Sequence, residues 1–214
     1  MSSSRIRTVD FNFQSTYCSN ENTTADHLWF VLHGYGQLAH YFIKKFSFLE
    51  DKALVVAPQG LSLFYLQSTS GRVGASWMTK ENRHMAITNY LSYLNQVYHT
   101  VLHERKSHPS SVTLLGFSQG VSTLIRWIVS SQISFDKLIM CAGSFPEDID
   151  SAASKKIFSN KPCYYSYGDQ DPYIKEGSME QLNGKFQRYG LEVKFVKFAG
   201  KHEVPQSLIQ KLIE

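Results

Sequence analysis

Val112-Thr113-Leu114-Leu115-Gly116-Phe117-Ser118-Gln119-Gly120 is the stretch that decides how this chain is read. A short apolar run leads straight into Gly-x-Ser-x-Gly. The residues that follow, Val121, Leu124, Ile125, Ile128 and Val129, recur at three- and four-residue spacing. A continuous apolar run is what a strand buried on both faces looks like, and the three-four spacing is the apolar stripe of a helix. A glycine-flanked serine between the two sits on a sharp strand-to-helix turn, which strains its backbone and exposes its hydroxyl. Side chains at the glycine positions would collide with the neighbouring strand and helix. The helix N-terminus behind Ser118 also favours developing negative charge. The plain alternative is a glycine-flanked helix start in which Ser118 is only the N-cap.

Working outward, Leu28–Leu32, Ala53–Ala57, Lys137–Met140 and Cys163–Tyr167 are further apolar runs of strand length. Val193–Phe198 alternates apolar with charged residues, as an edge strand does, and Val9, Phe11 and Phe13 alternate in a way that predicts an antiparallel strand near the N-terminus. Helices are expected over about Asn82–Lys106, from Ser118 onward, and near Leu38–Phe48, Ile174–Tyr189 and Val204–Ile213. Strand–helix alternation of this kind predicts an α/β fold with a mostly parallel sheet covered on both faces. Gly60–Thr79 is the longest stretch without periodicity, and reads as a functional loop or a packed surface loop.

The 214 residues fit one domain, 1–214, with disorder expected only over about residues 1–5. Hydrophobic residues make up 43% and charged residues 19%, enough to build a core and too little charge for a disordered chain. The net charge of +4 comes from scattered Lys and Arg, which gives nucleic-acid binding little support. No run approaches the length of a membrane span, and the N-terminus shows no signal-peptide apolar region. Cys18, Cys141 and Cys163 fit no zinc or Cys-x-x-Cys spacing; an odd, scattered set is expected to be reduced, in the cytoplasm.

A serine hydroxyl needs a base to accept its proton, and in chains with this turn the order is Ser, then Asp or Glu, then His. Of eight histidines only His202 follows Ser118, in Gly200-Lys201-His202-Glu203-Val204-Pro205 after the last strand. Candidate acids between them include Asp169 and Asp171, in the turn Gly168-Asp169-Gln170-Asp171-Pro172 at a strand's carboxyl end. Asp171, at the turn into the next helix, is the choice to orient His202; Asp169 is the alternative, with turn amides as its other employment. Leu28–Leu32 runs into His33-Gly34-Tyr35-Gly36-Gln37, so the backbone N–H groups of Tyr35 and Gln119 are the expected oxyanion donors.

The combined pattern resembles the carboxylesterase/phospholipase/acyl-protein thioesterase group of small α/β-hydrolases from about Leu28 to the C-terminus. Gly116–Gly120 and Gly168–Pro172 are its most specific parts. His33–Gln37, Val55–Gly60, Gly74–Met78, Cys141–Pro146 and Lys201–Pro205 also resemble segments of that group. Lys201 departs from it, standing where a glycine is usual, and so does the loop from Gly60 to Trp77. The resemblance implies the α/β-hydrolase fold without a large lid domain, and a Ser118–His202–Asp171 triad that hydrolyses carboxylic esters, lysophospholipids or acyl thioesters without metal or cofactor. It implies that Trp77 lines the substrate site near the serine. Phe64 and Tyr65 are further candidates for an apolar acyl pocket, or for plain packing. The expected partner is a small or acyl ester. An acyl-protein thioesterase/lysophospholipase or a peptidase on the same triad is the alternative enzyme, and a non-catalytic scaffold the alternative of another class.

Overall fold

A computed structural model describes residues 5–105, 107–175 and 177–213. Seven strands form one sheet in the order β1-β3-β2-β6-β7-β8-β9. These are β1 (Tyr17–Ser19), β2 (His27–Leu32), β3 (Ala53–Pro58), β6 (Ser111–Phe117), β7 (Lys137–Cys141), β8 (Cys163–Gly168) and β9 (Val193–Phe198). β1 pairs antiparallel with β3, and every other pairing is parallel.

The side-chain alternation of the strands sorts the core onto two faces. Leu28, Phe30 and Leu32 of β2 join the larger cluster, with residues of α2 (Arg83–Glu104), α3 (Gln119–Ser131), α4 (Ser151–Phe158) and α5 (Ser178–Arg188). Trp29 and Val31 join the other, with α1 (Ala39–Phe42), a 3₁₀ turn over Ile43–Leu49, and α6 (Gln206–Ile213). Burial on both faces is why the central strands read as unbroken apolar runs. α3 is the most enclosed helix, with every residue from Gly120 to Val129 buried.

The connections after β2 and β6 depart in opposite directions, β2 leading to β3 on one side and β6 to β7 on the other, so the sheet's switch point lies between these two neighbours. In open α/β sheets the crevice at the carboxyl ends of such strands is where ligands bind. Both predicted donor loops, 33–37 and 118–120, start there.

The structure departs from the sequence reading in four places. The alternating Val9–Phe13 is not a strand; Val9, Phe11 and Phe13 are 82%, 75% and 61% exposed, and the antiparallel strand is β1, a few residues on. Alternation marks a half-buried strand only when something covers the apolar side. Gly60–Thr79 is not a plain loop: it contains an antiparallel hairpin of β4 (Ser62–Tyr65) and β5 (Val73–Ser76). α4 was not expected from the sequence; its N-cap Asp150 accepts from the Ala153 N–H at 2.6 Å. The expected helix from Ile174 begins at Ser178. Of the predicted disordered residues 1–5, 1–4 lie outside the described residues, as does Lys106 at the end of the expected second helix.

Candidate active site

β6 ends at Phe117 and α3 begins at Gln119, leaving Ser118 alone in the turn with φ 53° and ψ −118°. A non-glycine residue in such a region costs of order 1–3 kcal/mol and persists only where its surroundings enforce it. Here the Ser118 N–H donates to Cys141 O (2.8 Å), and its carbonyl accepts from Val121 (3.1 Å). The turn is tight: a Cβ on Gly116 would lie 2.7 Å from Gly120 O, and one on Gly120 would lie 2.3 Å from Leu32 O. The Ser118 side chain makes no cap hydrogen bond, so its hydroxyl is not used as an N-cap.

The 33–37 turn is braced from below and from the side. His33 is wholly buried. Its Nε2 accepts from the Gly60 N–H (3.0 Å), so the proton sits on Nδ1, which donates to Gly34 O (2.8 Å). Burial holds this imidazole down to about 4, against a small opposing effect of the Gly34 carbonyl, and keeps it neutral. Gly36 N donates to Ala75 O and Ala75 N to Gln37 O, tying the turn to β5. Gln37 Oε1 accepts from the Gly34 N–H at 2.9 Å.

The Gln119 side chain joins β5 to the serine turn. Its Oε1 accepts from Trp77 N (3.0 Å), while its Nε2 donates to Met78 O (2.8 Å). Among the described residues, neither the Tyr35 nor the Gln119 backbone N–H has a protein acceptor. Sequence reasoning found both amides and missed the bracing by Gln37, His33 and the Gln119 side chain, because those partners are far apart along the chain.

His202 lies after β9, and its Nδ1 is 2.7 Å from Asp171 Oδ2. The Asp171 side chain is fully buried, and its other oxygen accepts from the Tyr173 N–H at 2.9 Å. A carboxylate on Nδ1 sets the tautomer that leaves Nε2 without a proton. Phe117 and Tyr173 pack against the ring with centroids 4.9 and 4.7 Å away. Asp169 is differently employed: it accepts from the Gly200 N–H at 3.1 Å, bracing the turn that carries His202.

Tyr35, Ser118, Gln119, Arg126, Phe145 and His202 all line one cavity of about 640 Å³ at the carboxyl end of the sheet. Ser118 Oγ and His202 make no hydrogen bond with each other and meet as walls of this cavity. Phe64, Tyr65 and Trp77 are not among its lining residues. Trp77 is only 1% exposed; its indole donates to His33 O at 2.9 Å and stacks on the His33 ring, 5.1 Å between centroids. It is packing beneath the site, a correction to the lining role expected for it. Phe64 packs on the outer side of Tyr35, 5.0 Å between centroids, and Tyr65 is 49% exposed on the hairpin.

A larger cavity, about 1030 Å³, lies at the opposite end of the sheet among Asp26, His27, Lys52, Ser111 and Asp136. Its size is outweighed by position: it sits at the amino ends of the strands, away from the switch point. Among the described residues no group of three or more His, Cys, Asp or Glu converges as for a metal ion, and no helix is long and apolar enough to cross a membrane.

Comparison with known proteins agrees with this architecture. A family model described as Phospholipase/Carboxylesterase matches residues 17–214. A search of curated proteins finds no match. Similar solved structures include the Bacillus cereus carboxylesterase, at 12% identity and TM-score 0.67, covering 94% of this chain and 92% of that one. Acyl-protein thioesterase 2 of Zea mays aligns at 13% identity and TM-score 0.67, over 93% and 96% of the two chains. An Agrobacterium tumefaciens protein of unknown function aligns at 17% identity and TM-score 0.65, over 92% and 93%. At such identities the structural likeness is one of fold; the family match spans nearly the whole chain. With its switch-point crevice and mostly parallel sheet, the chain belongs to the phospholipase/carboxylesterase family of α/β-hydrolases and is a hydrolase of the esterase kind.

Proposed function

We propose that the protein is a serine ester hydrolase working through an acyl-enzyme on Ser118. The observation that carries this reading is the buried Asp171 paired at 2.7 Å with His202, in one cavity with a serine at a strained turn. His202 Nε2 takes the Ser118 proton as Oγ attacks the acyl carbonyl, and Asp171 stabilises the imidazolium that forms. The Tyr35 and Gln119 amides receive the oxyanion, each such donor contributing about 3–4 kcal/mol to the transition state. His202 then protonates the leaving alcohol or thiol and activates the water that frees the acyl group. Substrate binding brings serine and histidine into hydrogen-bond reach, as apo sites of this kind commonly require.

The substrate is a small ester, since the short 144–161 segment holds only α4 and no lid. Three free cysteines, two of them buried, support a reducing cytoplasmic setting. The test is hydrolysis of nitrophenyl esters from acetyl to palmitoyl, with fluorophosphonate labelling of the wild type and Ser118→Ala. Turnover of short chains with labelling lost in the variant is the expected result. Labelling that persists in Ser118→Ala overturns the nucleophile, and a preference for long chains replaces the small-ester substrate with a lysophospholipid or long acyl thioester.

A further inference from the structure

Arg126 is an unusual residue for the wall of an ester-hydrolysing cavity. It lies on α3 eight residues after Ser118, with Ser122 midway, and both line the same cavity as Ser118 and His202. Its side chain is 5% exposed. Among the described lining residues it is the single side chain with a fixed charge, and none is a carboxylate. A buried guanidinium is costly unless it is paired.

The pairing it has is incomplete. Nε and one Nη reach Asp148 Oδ1, each at 2.9 Å, and the other Nη donates to Ser122 O at 3.3 Å. A guanidinium carries five N–H donors, so two remain beyond these contacts, with the buried Tyr90 hydroxyl, itself without a hydrogen-bond partner among the described residues, beside the guanidinium. Asp148 is shared with Arg83, whose Nη2 is 2.7 Å from its other oxygen. Burial would raise the Asp148 carboxyl, but hydrogen bonds from Arg126 and Arg83 outweigh it and hold it down to about 2, fully ionised. Two guanidiniums against one carboxylate leave a net charge of +1. Asp148 and Arg83 are the solvent-facing members, with side chains 34% and 32% exposed, and Arg126 is the buried cation of the three, on the cavity wall. The bond to Ser122 O fixes the height of the guanidinium: four residues from Ser118, about 6 Å along the helix axis.

We propose that Arg126 is a specificity determinant, and that the preferred substrate is an ester carrying a second, ionised group a few bonds from the scissile carbonyl. This rests on the Ser118 reading of the cavity. The two spare N–H donors take a carboxylate in fork geometry, while Asp148 and Arg83 keep the guanidinium in place. A purely hydrocarbon acyl chain would leave those donors unmet and the cation desolvated.

The test uses two pairs of aryl esters that differ only in charge. A nitrophenyl hemisuccinate against its methyl-capped diester puts the anion on the acyl side; 4-(butyryloxy)benzoate against its methyl ester puts it on the leaving group. In the wild type one pair is expected to show at least about tenfold higher kcat/KM for the charged member, the size of a charge-assisted hydrogen bond, and that pair identifies the side that Arg126 reads. Arg126→Gln is expected to bring the ratio to near one, mainly through KM, and Arg126→Lys to restore part of it. Arg126→Gln leaves Asp148 paired with Arg83, so the ion pair is not stranded. Equal kcat/KM within both pairs, or an unchanged ratio in Arg126→Gln, overturns the proposal while leaving Ser118 as nucleophile. Calorimetric titration of Ser118→Ala with glutarate separates the two readings. Binding that disappears in the Ser118→Ala/Arg126→Gln double variant supports the anion site even if no ester is turned over; binding unaffected by the Arg126 change, or none at all, counts against it.

Discussion

The two ends of the central sheet each carry a histidine and a serine in one cavity, and their surroundings differ. At the amino end, His27 Nδ1 lies 2.6 Å from Ser111 Oγ in the larger cavity. Both residues begin ordinary strands, the pair is exposed, and among the described residues no carboxylate pairs with His27. At the carboxyl end, Ser118 stands in a strained turn, His202 is held by a fully buried Asp171, and two backbone amides are left free. A short Ser–His distance and a large cavity are therefore poor guides. A histidine whose tautomer is fixed by a buried acid, beside a serine the fold keeps in an unfavourable conformation, is a better one.

The largest expected effect breaks this comparison directly. Ser118→Ala should lower kcat by at least about 10³-fold, while Ser111→Ala leaves it within experimental error. Mass spectrometry after fluorophosphonate treatment should find the adduct on Ser118 alone; an adduct on Ser111 would reverse the assignment of the two ends. Next comes the orienting acid. Asp171→Asn keeps the shape but turns the wrong face of the imidazole toward Ser118, for a loss of about 10⁴ in kcat. Asp169→Asn removes one acceptor from a turn amide, and its effect on kcat should stay below about tenfold.

A third test falls on buried His33, beneath the carboxyl-end site. His33 is held at about 4 from its ordinary 6.5, so the folded state keeps it neutral while the unfolded chain takes up a proton. Its contribution to stability is present above pH 6.5 and is lost as pH falls towards 4, by about 3 kcal/mol in all. Urea unfolding between those pH values should show this loss in the wild type and a shallower dependence in His33→Gln. The smallest effect belongs to the hairpin: Tyr65→Ala, at an exposed position, should change kcat/KM less than about threefold. Phe64→Ala, which removes the ring packed on Tyr35, should cost more. A larger loss from Tyr65→Ala would bring the hairpin into the substrate site.

Much of this was legible along the chain. The central strands of the parallel sheet stood out because burial on both faces disfavours charged interruptions, and Gly116–Gly120 stood out because the tight turn at the serine leaves no room for a Cβ two residues to either side. The hairpin was not legible. β4 and β5 carry little apolar periodicity because β4 is largely exposed on both faces, and β5 is held partly by the 33–37 turn, as in the Gly36 N–H to Ala75 O bond. Trp77 was misjudged for a related reason: an indole in a loop gives no sign of whether a distant carbonyl, here that of His33, will draw it inward.

By itself the sequence determined the layer architecture, the strand-to-helix serine turn and the single histidine able to follow it, because each depends on local pattern or chain order. Only the tertiary structure set Asp171 rather than Asp169 against His202, left the Tyr35 and Gln119 amides free beside Ser118, and set a guanidinium on the cavity wall. Those outcomes depend on distances between segments tens of residues apart. Hydrogen bonds and burial fix such distances once the sheet has formed, and no local spacing records them.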